Sequence, residues 1–227
     1  MNIKLFKKVF LKIKKLFKPT DKFIYVAMGD STVEGVGSSG PKKTFPALVF
    51  TSIKQELKNA KFHNLGRGGA KISDVVTYQL QEAVRLKPNL VTISVGANDL
   101  RNRTKLKQFS NDLSQLIEVL KRKTDAKVIV NNIPDLSHLP SIPFVLRIYS
   151  KILLKRFNQI IQEETHKSQV ILVDLYSQSK LFVNKYPEFI SSDGLHPSDT
   201  GYALWANTII TQIKHLFLNK QQIKKEF

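Results

Sequence analysis

Five times along the chain, a short run of β-branched and aromatic residues is followed by a longer amphipathic stretch. The strand-like runs are FIYVAM (23–28), KFHNL (61–65), LVTISVG (90–96), KVIVNNI (127–133) and VILVDL (170–175). The helix-like stretches cover 45–60, 72–87, 105–123, 143–164 and 201–218. A strand that is apolar along its whole length is covered on both faces, and strands separated by helices pair in parallel. The pattern therefore predicts a three-layer α/β/α fold around a five-stranded parallel sheet. The chain has 227 residues, of which 42% are hydrophobic, which suffices for one sizeable core. No repeat or low-complexity linker divides it, so the expectation is one folded unit over residues 21–218. The polar tail NKQQIKKEF (219–227) is expected to fray.

The formal net charge is +18, which points to an anionic partner: membrane lipid, nucleic acid or an acidic polymer. Residues 1–20 carry seven lysines and no acid, and removing those seven from +18 leaves +11 for the remainder. On a helical wheel at 100° per residue, Ile3, Leu5, Phe6, Val9, Phe10, Ile13, Leu16 and Phe17 share one face. The lysines share the other, and Leu11 alone departs from the pattern. Lysine interrupts every apolar run, so this stretch is neither a membrane span nor a signal peptide. A basic amphipathic N-terminal helix over 1–20 is the prediction. Its use is docking residues 1–18 on an anionic membrane surface, in preference to packing on the domain. The expected location is peripheral to a membrane on the cytoplasmic face, with the extracellular face left open. Cysteine is absent, which removes disulfides, thiolate catalysis and cysteine-held metal from consideration.

In open parallel sheets, ligands gather at the carboxyl ends of the strands. The segments that follow the strands here are GDSTVEG, NLGRGGA, VGANDL and NNIPDLSHLP, and SSDGLHPSDTGY comes near the C-terminus. An acyl-transfer site needs a nucleophile, a base and a group that orients the base. Ser31 is the candidate nucleophile, His196 the base and Asp193 the orienter. The D-x-x-H spacing puts both side chains on one side of a tight turn, with Gly194 free to take a positive φ. Pro197 biases His196 towards extended backbone. Oxyanion donors are the side-chain amide of Asn98, the backbone N–H of Gly69 and the N–H of Ser31, with Gly66 and Gly68 as alternatives to Gly69. Ser31 also opens a helical turn whose free N–H groups favour an anion. Taken singly, GDS is an ordinary turn and cap, and DGLHP an ordinary loop. The specificity lies in their joint occurrence, in this order, at strand ends. A nucleophile elbow of the G-x-S-x-G kind fails here, because Val33 stands at the second glycine position. Asp30 and Asp99 are read as acceptors bracing their loops, and Arg67 as a surface residue. His63, His138, His166 and His215 are read as structural, and Tyr202 and Trp205 as a packed helix face.

The ordered blocks GDS, NLGRGGA, GAND and DGLH resemble those of the SGNH or GDSL-type serine esterases and lipases, a family that includes lysophospholipase-like and acyl-esterase-like bacterial hydrolases. The resemblance spans roughly residues 23–213 and leaves out the first twenty. It implies a flavodoxin-like SGNH hydrolase fold over the unit at 21–218, and hydrolysis of carboxylic esters with no cofactor and no metal. It also implies a Ser31–His196–Asp193 triad with Gly69 and Asn98 as oxyanion donors. Thr32 replaces the leucine of GDSL and leaves the nucleophile in place.

Leu136, Leu139, Ile142, Phe144, Val145, Leu146 and Ile148 follow the fourth strand, in a segment broken by Pro140 and Pro143. An apolar loop beside a serine site suits an acyl chain. Together with the N-terminus, it makes a lipid or lysophospholipid ester the expected substrate. A carbohydrate O-acetylesterase is the alternative, although such an enzyme would be expected to carry more than the single tryptophan present. A non-catalytic binder of anionic polymer is the remaining reading. No nucleic-acid motif is visible, so no specific nucleic-acid partner is expected.

Overall fold

Strands in the centre of the sheet alternate their side chains between two apolar layers, and that alternation builds the core. The computed structural model describes residues 22–135, 139, 145, 147–182 and 187–219. The strands are β1 (Ile24–Gly29), β2 (Lys61–Asn64), β3 (Leu90–Ser94), β4 (Lys127–Asn131) and β5 (Ile171–Val173). They form one sheet in the order β2-β1-β3-β4-β5, with every pairing parallel. Val26, Met28, Val91, Ile93, Val128 and Val130 face one layer. Tyr25, Ala27, Leu90 and Ile129 face the other. This is the period of two expected of a pleated strand, with both faces covered.

The first layer is closed by three helices. They are α3 (Ile72–Asp74, continued by a π-helical turn Val75–Gln79 and by Leu80–Arg85), α5 (Leu106–Lys123) and α6 (Arg147–Lys167). Ile72, Phe109, Leu113, Phe157 and Ile161 carry their buried stripes. The second layer is closed by α2 (Phe45–Glu56) and α8 (Asp199–Asn219), through Phe45, Val49, Ile53, Tyr202, Trp205 and Ile209. Short helices α1 (Ser31–Glu34), α4 (Ala97–Arg101) and α7 (Leu175–Phe182) follow β1, β3 and β5.

All five expected strands are present, as are the five long helices. The sequence pattern missed α4 and α7 because each has fewer than nine residues, too few for a helical period to show. The basic stretch 1–20, and the tail beyond Asn219, lie outside the described residues. So do Leu136, Pro140, Ile142, Pro143, Phe144 and Leu146. Among the described residues, no helix is long and apolar enough to cross a membrane.

The register decides where the site can form. Gly29 of β1 stands beside Ser94 of β3, which stands beside Asn131 of β4. The three central strands therefore end level, and their loops share one edge.

Candidate active site

Ser31 begins α1 directly after β1, and the bend between them depends on Gly29. The φ of Gly29 is 147°, and a Cβ there would lie 1.9 Å from the Ser94 carbonyl oxygen. Gln79, in the π-helical turn of α3, grips this glycine from both sides. Its Oε1 accepts from the Gly29 N–H and its Nε2 donates to the Gly29 carbonyl, each at 2.8 Å. Asp30 then caps α1, accepting from the Thr32 N–H at 2.9 Å and the Thr32 hydroxyl at 2.8 Å. Burial pushes the Asp30 carboxyl up to about 6, against the lowering effect of these bonds and of His196. Asp30 thus braces the loop, as its position suggested.

His196 reaches Ser31 from a loop on the far side of the edge. Its Nε2 lies 2.9 Å from Ser31 Oγ, and its Nδ1 lies 2.6 Å from Asp193 Oδ2. The other carboxylate oxygen, Oδ1, accepts from the Ser191 hydroxyl and from the N–H groups of Leu195 and His196, at 2.7 to 2.9 Å. Partial desolvation would raise the Asp193 carboxyl. The bonds from the His196 backbone, the Ser191 hydroxyl, the His196 ring and the Leu195 backbone outweigh it and hold Asp193 well below the usual carboxylate range. Gly194 takes the positive φ expected of it, 69°. The loop is closed by an antiparallel bridge between Ile190 and Pro197. A carboxylate on Nδ1 leaves Nε2 free to accept a proton from Ser31.

Asn98, in the first turn of α4, donates through Nδ2 to the Ala70 carbonyl at 3.1 Å, which leaves its second amide hydrogen unspent. The three glycines of NLGRGGA separate by geometry. A Cβ on Gly66 would lie 2.4 Å from the Glu34 nitrogen, so Gly66 serves a close approach of backbones. The Gly68 N–H is taken by Glu34 Oε2 at 2.6 Å. Nothing lies within 4 Å of where a Cβ of Gly69 would be. Among the described residues, nothing in the chain accepts from the Gly69 N–H. Asp99 accepts from the Ile72 N–H at 2.9 Å, which joins α4 to the start of α3.

A cavity of about 680 Å³ opens at this edge, and Ser31, Gly69, Asn98 and His196 line it. Gly66 is outside its wall. Leu100, Ile133, Leu139, Leu153, Tyr149 and Trp205 supply much of the remaining surface. Trp205 and Tyr202 lie in the packed face of α8, and the Tyr202 hydroxyl donates to the Val36 carbonyl at 2.6 Å. Arg67 is exposed and stacks over Tyr78. Neither His63 nor His166 pairs with a carboxylate among the described residues. His138, and the side chain of His215, lie outside them.

Two residues that hold the site went unnoticed in the sequence. Gln79 and Glu34 sit inside helical stretches and bond to glycines 50 and 34 residues away, and no local pattern announces such contacts.

The family model described as the GDSL-like lipase/acylhydrolase family matches residues 27–204. No curated protein matches the chain in sequence. Solved structures with the same fold include an acetylxylan esterase from Geobacillus stearothermophilus, 17% identical with a TM-score of 0.69, over 87% of this chain and 96% of that one. A member of the lipolytic G-D-S-L family from Veillonella parvula is 15% identical with a TM-score of 0.66, over 83% and 97%. An α/β hydrolase from the metagenome of Lake Arreo, Spain, is 16% identical with a TM-score of 0.69, over 84% and 94%.

Proposed function

The chain belongs to the GDSL-like lipase/acylhydrolase family and is a carboxylic ester hydrolase; on that premise we propose that it removes short acyl groups from carbohydrate hydroxyls through an acyl-enzyme on Ser31. The observation that carries the chemistry is the 2.9 Å contact between Ser31 Oγ and His196 Nε2, with Asp193 on the opposite ring nitrogen. In this reading His196 takes the Ser31 proton as Oγ attacks the ester carbonyl. The Asp193 carboxylate holds the ring and stabilises the imidazolium that forms. The developing oxyanion is met by the N–H groups of Gly69 and Ser31 and by the spare Asn98 amide hydrogen. His196 returns the proton to the departing alcohol. It then activates the water that releases the acid, which restores Ser31.

The short-acyl, carbohydrate reading is supported by the acetylxylan esterases among the proteins with this fold. It is also supported by Tyr149, a residue 53% exposed at the cavity wall, where a sugar face can stack. A lipid or lysophospholipid ester is the second reading. Its support is the apolar wall of Leu100, Ile133, Leu139 and Leu153, with the exposed Ile148 and Ile152 on α6. Hydrolysis of p-nitrophenyl esters of increasing chain length separates the two. The first reading expects an optimum at acetyl, with acetate released from acetylated xylan; an optimum at eight carbons or more would replace it with the second. For residues 1–18 the proposal is a peripheral anchor on an anionic membrane, supported by the lysine and apolar faces. Equal binding to anionic vesicles by chains with and without those residues would defeat it.

A further inference from the structure

Two arginines at the catalytic cavity have no assigned work. Arg101 ends α4, three residues after Asn98. Residues three apart share a helix face, and their rise is about 4.5 Å, so Arg101 stands one turn beyond the oxyanion donor. Arg103 follows in the next bend, and both side chains line the cavity that holds Ser31. Both are exposed. Neither is within ion-pair distance of a carboxylate among the described residues. The carboxylates of the cavity wall, Asp30 and Asp135, are each only 2% exposed, so the charge the mouth shows to solvent is positive.

The backbone at this bend is left-handed, as it is just past two other helices at Lys87 (φ 49°) and Gln169 (φ 53°), so the cavity lining rather than the backbone carries the assignment. Arg103 has a φ of 55°, in the left-handed region. The bend is closed by the Arg103 N–H to the Leu100 carbonyl at 3.2 Å and the Thr104 N–H to the Asp99 carbonyl at 2.9 Å. A helix end of this kind ordinarily takes glycine, because a side chain in this conformation is strained. The dipole of α4 would be served by a cation anywhere in its last turn and does not require two in the cavity wall.

We propose that Arg101 and Arg103 form a subsite for an anionic group, carboxylate or phosphate, on the alcohol side of the ester. This rests on the short-acyl reading above: a short acyl group ends near Ser31, so only the alcohol reaches the mouth. A guanidinium offers a planar fork of N–H donors that fits either anion. The net charge of +18 draws such substrates in.

The test compares kcat/KM for phenyl acetate, 4-acetoxybenzoate and 4-acetoxyphenyl phosphate at low ionic strength, each normalised to its hydroxide-catalysed rate. The wild type favours one or both anionic esters over phenyl acetate by about tenfold, the scale of one charge-assisted hydrogen bond. The larger of the two ratios identifies carboxylate or phosphate. Arg101→Gln and Arg103→Gly each lower the ratio several-fold, Arg101→Lys keeps part of it, and 0.5 M sodium chloride lowers it in the wild type. Arg103→Gly raises Tm while lowering the ratio, because glycine relieves the backbone; a merely structural arginine would not move the ratio. Calorimetric titration with 4-hydroxybenzoate and 4-hydroxyphenyl phosphate, each against phenol, reads the same preference without turnover. Both wild-type ratios within twofold of one, both ratios unchanged in the double variant, or equal binding of all three phenols overturns the subsite. Selective binding of either anionic phenol with none of the three esters cleaved would instead overturn the short-acyl reading and leave the subsite standing.

Discussion

Ser31 and His196 meet at 2.9 Å, but the chain brings them together by opposite means. The turn at Ser31 is buried and held from a distance. Gln79 grips Gly29 across 50 residues of chain, and the Asp30 N–H bonds to Ser94 of the neighbouring strand. The loop of His196 is more open and holds itself. Every bond to Asp193 comes from within three residues, and the Asp193 side chain is 40% exposed against 16% for His196. Two carboxylates record the contrast. Burial pushes Asp30 up to about 6, whereas hydrogen bonds hold Asp193 well below the usual range. A serine on a sheet edge takes its position from the whole core. A histidine on a short loop takes its position from a turn, and Gly37 lets the chain after α1 press against it, since a Cβ there would lie 2.8 Å from His196 Cβ.

The contrast breaks first at the chemistry, where both halves count equally. Ser31→Ala and His196→Ala are each expected to lower kcat by about 10⁴ or more with little change in Tm. Asn98→Ala is expected to lower it by about 10² to 10³, mostly in kcat and little in KM. Steady-state kinetics on p-nitrophenyl acetate measure both, and full activity in Ser31→Ala would remove the nucleophile from Ser31.

Stability should then divide the two halves. Gln79→Leu leaves the buried Gly29 N–H without its partner, while the Gly29 carbonyl keeps the Arg67 N–H at 3.1 Å, a cost of about 1 to 3 kcal/mol. Urea unfolding should show that loss together with reduced kcat. Ser191→Ala, which removes one local bond to Asp193, should change stability by under about 1 kcal/mol. Equal losses from the two variants would erase the distinction.

The contrast also shows in the pH dependence of stability. The folded chain holds the Asp30 proton more tightly than the unfolded chain, whose aspartate titrates near 3.8. The Asp30 contribution to stability is therefore full below about pH 4 and lost as pH rises through about 6, a change on the order of 2 to 3 kcal/mol. Asp193 acts in the opposite sense: its contribution is present above about pH 4 and lost as pH falls towards its depressed value. Unfolding curves from pH 3 to 8 for the wild type and Asp30→Asn should differ in slope between pH 4 and 6. Parallel curves would show that Asp30 ionises in the fold as it does in solution.

The alternation of apolar runs and amphipathic stretches was enough to specify the sheet, its parallel strands and its two covered faces. Those features follow from period and length, which are local properties of sequence. The candidate site residues were legible for a related reason. Ser31, Asn98 and the Asp193–His196 pair each stand in a short block of distinctive residues, at or near strand ends. The choice among Gly66, Gly68 and Gly69 was not legible. It depends on Glu34, which takes the Gly68 N–H, and on the helix against which Gly66 packs. Gln79 and the left-handed Arg103 were hidden in the same way, because a glutamine in a helix and an arginine after one look ordinary until their partners and dihedral angles are known. Local pattern determined which elements form and which blocks hold the candidate site residues. Contacts across tens of residues decided which N–H groups and side chains face the cavity, since only packing brings those distant groups within hydrogen-bond reach.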